Sequence, residues 1–447
     1  MLSIGDRLRK LRGERGLTQE QLAERADVSV DLVKKLEQNA RSSARLASLA
    51  ALADALAVSP AELLDERPRA VVLKHTPEVP PTEVPPTEVP RTALGADGWT
   101  RRESGELVDA LTGRAAAPRI DTGDAVQLAH EWLVADPPQL VEIRVGRRIG
   151  EDLVTKVEAR VTEVRRLDDF IGGGDLAAVV DRELRATTEL LTSGAYTERL
   201  GRRLLTAIAE LAQLAGWVLS DAGAHAAAAR RYLAGVKAAH AAADAPLAAN
   251  LLSSLSYQIA NTGQPREAVL LARSAARGAR QAATPRVRAL LADRVAWAHT
   301  MAGQSHAAER ALGEAEDALA AASPGDPDPD WVYWVDRDEL DVMAGRVYTE
   351  LRRPLRAEPL LRAALDRYDP ARTREFALYL TWLADTYIHA GEIDQAAITA
   401  AAALDLAAQV NSARARDRVD QVRRHLRPWR DTAAVQDLEE RALERSS

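Results

Sequence analysis

Cysteine is absent from the 447 residues. Disulfide scaffolds, thiolate zinc sites, iron–sulfur ligation and cysteine nucleophiles are therefore excluded. Lysine is scarce. Of 59 basic residues only Lys10, Lys34, Lys35, Lys74, Lys156 and Lys237 are lysine, and three of them fall in the first 35 positions. A general positive charge is also missing: the net charge is −7 and the pI about 5.8, so any surface for a polyanion has to be local. Long apolar runs are missing too, because Arg, Asp and Glu interrupt the alanine-rich stretches. The start, MLSIGDRLRKLRGERG, is charged and lacks the apolar core of a signal peptide. These absences predict a soluble cytoplasmic protein with no membrane partner.

No catalytic arrangement is visible. His75, His130, His225, His240, His299, His306, His389 and His425 show neither HExxH nor close metal-ligand spacing. The GGGD at 172–175 has neither the Lys-Ser/Thr of a phosphate loop nor a preceding strand, and reads as a helix stop. The expectation is a non-enzyme with no cofactor and no metal. What is present is apolar material, 47% of residues, enough to support sizeable cores in two to four structural units.

The chain changes character twice. Between Glu78 and Thr92 the motif EVPPT recurs, and proline at 77, 80, 81, 85, 86 and 90 forbids helix and central strand. An extended polyproline spacer is predicted there, with Pro77 to Pro90 reaching roughly 40 Å at about 3.1 Å per residue. Residues 93–145 are punctuated by Gly, Pro and Asp, with one helix expected from Thr122 to Ala135. From Arg147 the pattern is helical almost to the end, and Gly172-Gly173-Gly174 is expected to stop the first of those helices.

Ahead of the spacer, five short helices can be read. Leu2, Ile4, Leu8 and Leu11 mark the first. Thr18 caps the second, in a capping box closed by Gln21. Ser29 caps a third that runs to Glu37. A fourth covers Ala44–Ala57, and Ser59-Pro60 opens a fifth. Two short helices joined by a tight turn inside such a unit suggest a helix-turn-helix.

The stretch GDRLRKLRGERGLTQEQLAERADVSVDLVKKLEQNAR resembles the Xre family, the phage-repressor and Cro-like regulators. Leu17-Thr18-Gln19, Leu22-Ala23, Val28-Ser29, Val33, Leu36-Glu37 and Arg41 carry the likeness, and Asn39 stands where the family has glycine. The third helix would then lie in the major groove. Leu32, Val33 and Leu36 should point inward, and Val30, Asp31, Lys34 and Lys35 outward. Gln19 and Ser29, at helix N-termini, are placed to hold phosphates, and the resemblance assigns Gln19 to the DNA backbone or a base. With Arg41 these form the expected DNA-binding set. Between Arg7 and Arg45 ten basic residues face six acidic ones, a local excess in an acidic chain.

The second half carries internal repeats. A turn glycine, an alanine five residues on and a small residue seven beyond that recur as Gly223, Ala228, Gly235; Gly263, Ala268, Ala275; Gly303, Ala308, Ala315; and Gly391, Ala396, Ala403. Arg352, Ala357, Ala364 make a fifth set without the glycine. Each unit reads as an antiparallel helix pair whose small residues permit close approach. The array resembles a lengthened tetratricopeptide repeat. Residues 411–427 and 433–445 are expected to cap it.

In such an array the first helix of each pair lines the concave side. Helical spacing back from each turn places Gln213, Trp217, Asn250, Tyr257, Asp293, Trp297, Glu339, Arg346 and Asp385 on or near that face. All but Asp385 form the expected ligand-binding set. For Trp217, Tyr257 and Trp297 inter-repeat core is an equally good assignment. Trp331, Tyr333 and Trp334 read as core filling a long loop rather than as an aromatic cage.

The resulting expectation is an all-α protein. A helix-turn-helix domain spans 1–67, a Pro-rich linker 68–95, a helical connecting region 96–195 and an α-solenoid of tetratricopeptide-like pairs 196–445. The layout resembles actinobacterial regulators with an Xre-type head and a repeat body. It implies a homodimeric transcriptional regulator that binds a double-stranded DNA operator, associates with the nucleoid when bound, and takes a peptide, small-molecule or protein effector in its repeats. The alternative is an adaptor whose repeats recruit a partner protein and whose head is a tether.

Overall fold

Small residues at fixed spacing build most of this molecule. In the computed structural model, which describes residues 4–26, 28–38, 51–52, 55–56, 98–112, 122–170, 173–369 and 372–445, the chain divides into two compact units, Met1–Glu88 and Val89–Ser447. It is all-α, a helix-turn-helix head and a helical-repeat body.

In the first unit three helices are described: α1 (Ile4–Glu14), α2 (Gln19–Arg25) and α3 (Val30–Glu37). Thr18 caps α2 with its hydroxyl on the Gln21 N–H while the Gln21 side chain returns to the Thr18 N–H, the expected capping box. The Ser29 hydroxyl accepts from Leu32 and caps α3. Leu8, Leu22, Val33 and Leu36 are buried together with Leu52 and Leu56. The rest of the fourth and fifth expected helices, with Asn39 and Arg41, lies outside the described residues, as does the EVPPT segment.

The second unit opens with α4 (Arg101–Thr112), α5 (Thr122–Val134), α6 (Glu151–Leu167) and α7 (Gly173–Ser193). Two parallel pairs of two-residue strands stitch this region, Gly98–Trp99 with Gln139–Leu140 and Arg147–Arg148 with Gly194–Ala195. The glycine run does not stop α6 as expected: that helix ends at Leu167, and Gly173 already belongs to α7.

Then come the helix pairs: α8 (Glu198–Asp221) with α9 (His225–Ala241), α10 (Ala245–Asn261) with α11 (Pro265–Gly278), α12 (Pro285–Met301) with α13 (Ser305–Ala320), α14 (Arg337–Glu350) with α15 (Pro354–Arg367), and α16 (Thr373–Ala390) with α17 (Ile393–Ala407). The chain ends in α18 (Ala413–Leu426) and α19 (Ala433–Glu444). Gly223, Gly263, Gly303 and Gly391 all take positive φ, and so does Arg352 at the turn of the fourth pair. The repeat therefore dictates the left-handed turn even where glycine is missing. Ala228, Ala268, Ala308, Ala357 and Ala396 are fully buried at the helix crossings. Small residues also stand seven positions before each turn. A Cβ on Gly216 would meet the Tyr232 ring at 2.5 Å, and one on Gly345 would meet Leu361 at 2.7 Å.

The first helices of the pairs pack side by side in the order α8, α10, α12, α14, α16, α18, and α18 returns to α8. The inner helices thus form a closed ring. The second helices lie outside it, with α4 against α9 and α5 against α11. Among the described residues α8 alone is long and apolar enough to cross a membrane, and 72% of its most apolar window is buried in this packing.

Candidate nucleic-acid interface and ring cavity

Glu37 organises the head. Its side chain is buried, and a carboxylate is retained in such a place only when it is well paired. Arg12 supplies two hydrogen bonds, Nε to Oε1 at 2.7 Å and Nη2 to Oε2 at 3.0 Å, and Gln19 Nε2 a third at 2.7 Å. Burial works to raise the Glu37 carboxyl, but Arg12, Gln19 and Arg9 together hold it below its ordinary value. The three helices are thereby tied through one carboxylate. The sequence pattern LE at 36–37 marked the place, but nothing in it distinguished a buried glutamate from an exposed one.

Most of the expected DNA-facing set lies on one side of α3. Asp31, Lys34 and Lys35 are exposed, and Ser29 is exposed at the helix start. Lys35 pairs with Asp31 at 2.7 Å and Lys34 with Glu20 of α2 at 3.4 Å. Such exposed pairs contribute little and exchange readily for phosphate. Val30 differs from expectation. It is half-buried against the core, because it lies one turn before Val33 and so shares that face. Gln19 is half-buried and its amide nitrogen sits on Glu37 rather than open to a phosphate.

In the second unit the ring of inner helices encloses a cavity of about 330 Å³. Gln213, Trp217, Asn250, Tyr257, Glu339 and Arg346 all line it, as helical spacing predicted. Asp293 and Trp297 do not. Both are buried behind the wall, Asp293 on Arg294 at 3.2 Å and Trp297 between Tyr257 and Trp382 at centroid distances of 6.1 and 5.5 Å. The inner helices lie so close that side chains expected on the surface interleave. Asp385 is likewise buried, accepting from Arg418 at 2.7 Å and contacting the His425 ring at 2.8 Å.

Aromatic rings and guanidinium groups alternate around the wall. Trp217 and Tyr257 are 6.0 Å apart, Arg414 lies over Trp217 at 4.9 Å, and Arg418 over Trp382 at 3.7 Å. Arg346 stands among Trp297, Trp382 and Tyr257 at 4.7, 5.3 and 5.4 Å. The arginine contacts have cation–π geometry. Trp331 is buried, as read from the loop, but it lines the cavity together with Tyr333 and Trp334, and the Tyr333 hydroxyl donates to Asp169 at 2.6 Å.

Residues that spacing did not reveal complete the wall. The end of α6 brings Arg165, Asp168 and Asp169, and α16 brings Arg374 and Tyr379. The helix expected to be a mere cap, α18, contributes Arg414 and Arg418. Arg374 joins Asp168 at 2.9 Å, a contact across 206 residues. Glu339 accepts from Tyr379 at 2.8 Å, and burial pushes its carboxyl up to about 7 despite that bond.

A family model described as a helix-turn-helix domain matches residues 3–65. No curated protein matches the chain. The conclusion these observations carry is that the N-terminal unit is a helix-turn-helix domain, of the class that binds DNA, followed by a helical-repeat body enclosing an arginine-rich cavity.

Proposed function

We propose that the chain is a sequence-specific transcriptional regulator of the Xre type, working in the cytoplasm as a homodimer. Its tetratricopeptide-like body senses an effector in the ring interior. The observation that carries the DNA-binding part is the helix-turn-helix match over 3–65, together with Lys34 and Lys35 on the exposed side of α3. The cavity supports the sensing part. A ring of packed helices with a polar, aromatic interior near the small end of ligand-pocket volumes suits a small molecule. A ligand that prefers one curvature of the ring shifts the population of body conformations, and operator affinity follows from that shift.

The same geometry favours sensing over scaffolding. Because α18 closes on α8, the inner face is not an open groove for a partner protein.

The direct test is a gel shift on a duplex selected from a randomised library. The Lys34→Ala, Lys35→Ala double variant is expected to bind at least tenfold more weakly and to lower the salt slope by about 2. Undiminished binding overturns the groove assignment.

A further inference from the structure

Seven arginines line the ring interior. Six of them have a carboxylate within ion-pair distance: Arg165 has Glu210, Arg294 has Asp293, Arg372 has Asp169, Arg374 has Asp168, Arg414 has Asp221 and Arg418 has Asp385. Arg346 is the exception among the described residues. It is 8% exposed, its Nη2 donates to the Tyr257 hydroxyl at 2.6 Å, and its Nε has no partner. Burial works against its charge, and Tyr257, Asp293, Tyr379 and Glu339 favour it through space, but no carboxylate among the described residues forms an ion pair or hydrogen bond with it. A buried guanidinium left without an anion costs free energy that a well-placed anion would recover.

We propose that the ring interior is a binding site for a small organic acid with a planar apolar body, whose carboxylate pairs with Arg346. The proposal rests on reading this interior as the effector site and names what that site takes. The fork of a guanidinium matches a carboxylate in geometry as well as charge. The acid's body lies against Leu214, Met343, Leu378 and Trp334, which line the same cavity. Gln258 offers a further contact. Its Nε2 is fixed on the His225 carbonyl at 2.9 Å, which leaves its buried Oε1 unpartnered and free to accept from a hydroxyl where the acid carries one, without being needed for binding.

A cationic ligand fits less well. The faces of Trp217, Tyr257 and Trp382 already carry arginines. Of the wall carboxylates only the exposed Asp417, at the α18 rim, forms no ion pair or hydrogen bond. The volume, about 330 Å³, excludes a folded partner.

The experiment is isothermal titration of the full chain with 2-naphthoate, 2-naphthamide and 2-naphthylmethylammonium. The acid is expected to bind at least tenfold more tightly than the amide. Arg346→Gln is expected to abolish that preference and Arg346→Lys to retain part of it. Glu339→Gln, on the same wall, is expected to keep or tighten naphthoate binding. If the Gln variant does not fold, the Lys and Glu339 variants carry the result. Equal binding of acid and amide, preference for the ammonium, no binding of any of the three, or tighter amide binding in Glu339→Gln overturns the proposal. A gel shift with and without naphthoate separates the two levels. Naphthoate bound with operator affinity unchanged leaves the site standing and counts against the effector reading alone.

Discussion

Asp221, at the last turn of the first inner helix, accepts a hydrogen bond from the hydroxyl of Ser412 at 3.0 Å, 191 residues further along the chain. The same carboxylate lies 3.1 Å from the Arg414 guanidinium and 3.9 Å from that of Arg374. Two guanidinium groups and a hydroxyl therefore meet at one carboxylate whose residue is 1% exposed. This seam makes the array a ring rather than an open superhelix.

Removing that carboxylate should open the ring. Asp221→Ala takes from Arg414 the carboxylate it pairs with, while Arg374 keeps Asp168 and Glu375, and it is expected to destabilise the body by about 3 kcal/mol. Asp221→Asn keeps an acceptor for Ser412 and should cost about half as much. Chemical denaturation gives the energies, and small-angle scattering gives the radius of gyration. An unchanged radius and midpoint in the Ala variant would show that the seam holds nothing.

The head has a comparable single point of dependence. Arg12→Ala leaves the buried Glu37 with Gln19 and the largely exposed Arg9, and is expected to destabilise that unit by roughly 2–3 kcal/mol. Glu37→Gln should cost less, because a neutral amide in that place needs no counter-charge. Hydrogen exchange of the α1–α3 amides in the full chain reads both. Equal protection in Arg12→Ala and the parent would refute the assignment.

Two substitutions test the repeat geometry in opposite directions. Arg352 sits at φ 55°, where a side chain strains the backbone, so Arg352→Gly should stabilise by about 0.5–1 kcal/mol. Gly216→Ala gains helix propensity worth up to about 1 kcal/mol but drives a methyl into the Tyr232 ring. Overpacking of that kind costs about 1–3 kcal/mol, so net destabilisation is expected. Thermal unfolding of the two variants should move apart, and a shift of both in one direction would contradict the packing scheme.

The pH dependence follows from Glu339. Its carboxyl is raised to about 7 in the folded state, mainly by burial, against an ordinary value near 4.5. Between those values the folded chain holds a proton that the unfolded chain has released. Stability therefore falls as pH rises from about 4.5 to 7 and levels off above, a loss of roughly 3 kcal/mol. Glu339→Gln should remove this slope and be the more stable protein at pH 8. Identical urea midpoints for the two chains at pH 5 and pH 8 would rule it out.

Much of this was legible in the residues themselves, and the parts that were not share a cause. Helix caps at Thr18 and Ser29, left-handed turns at Gly223, Gly263, Gly303 and Gly391, and the buried alanines between them depend on hydrogen bonds and contacts within a turn or two of chain. Helical spacing even picked out six cavity residues, among them Arg346 and Glu339, because a period of 3.6 decides which side of a helix a residue occupies. What it could not decide is how strongly each side is pressed against its neighbours. Val30 turned inward, and Asp293 and Trp297 vanished behind the wall, once neighbouring helices were in place. Ring closure, the meeting of Asp168 with Arg374, and the conversion of α18 from cap to wall lay further out of reach. They arise from small rotations summed over successive repeats, each set by side-chain volumes at an interface between distant segments. The raised carboxyl of Glu339 and the lack of an ion-paired carboxylate at Arg346 are consequences of that closure, since both depend on how the finished ring buries these groups.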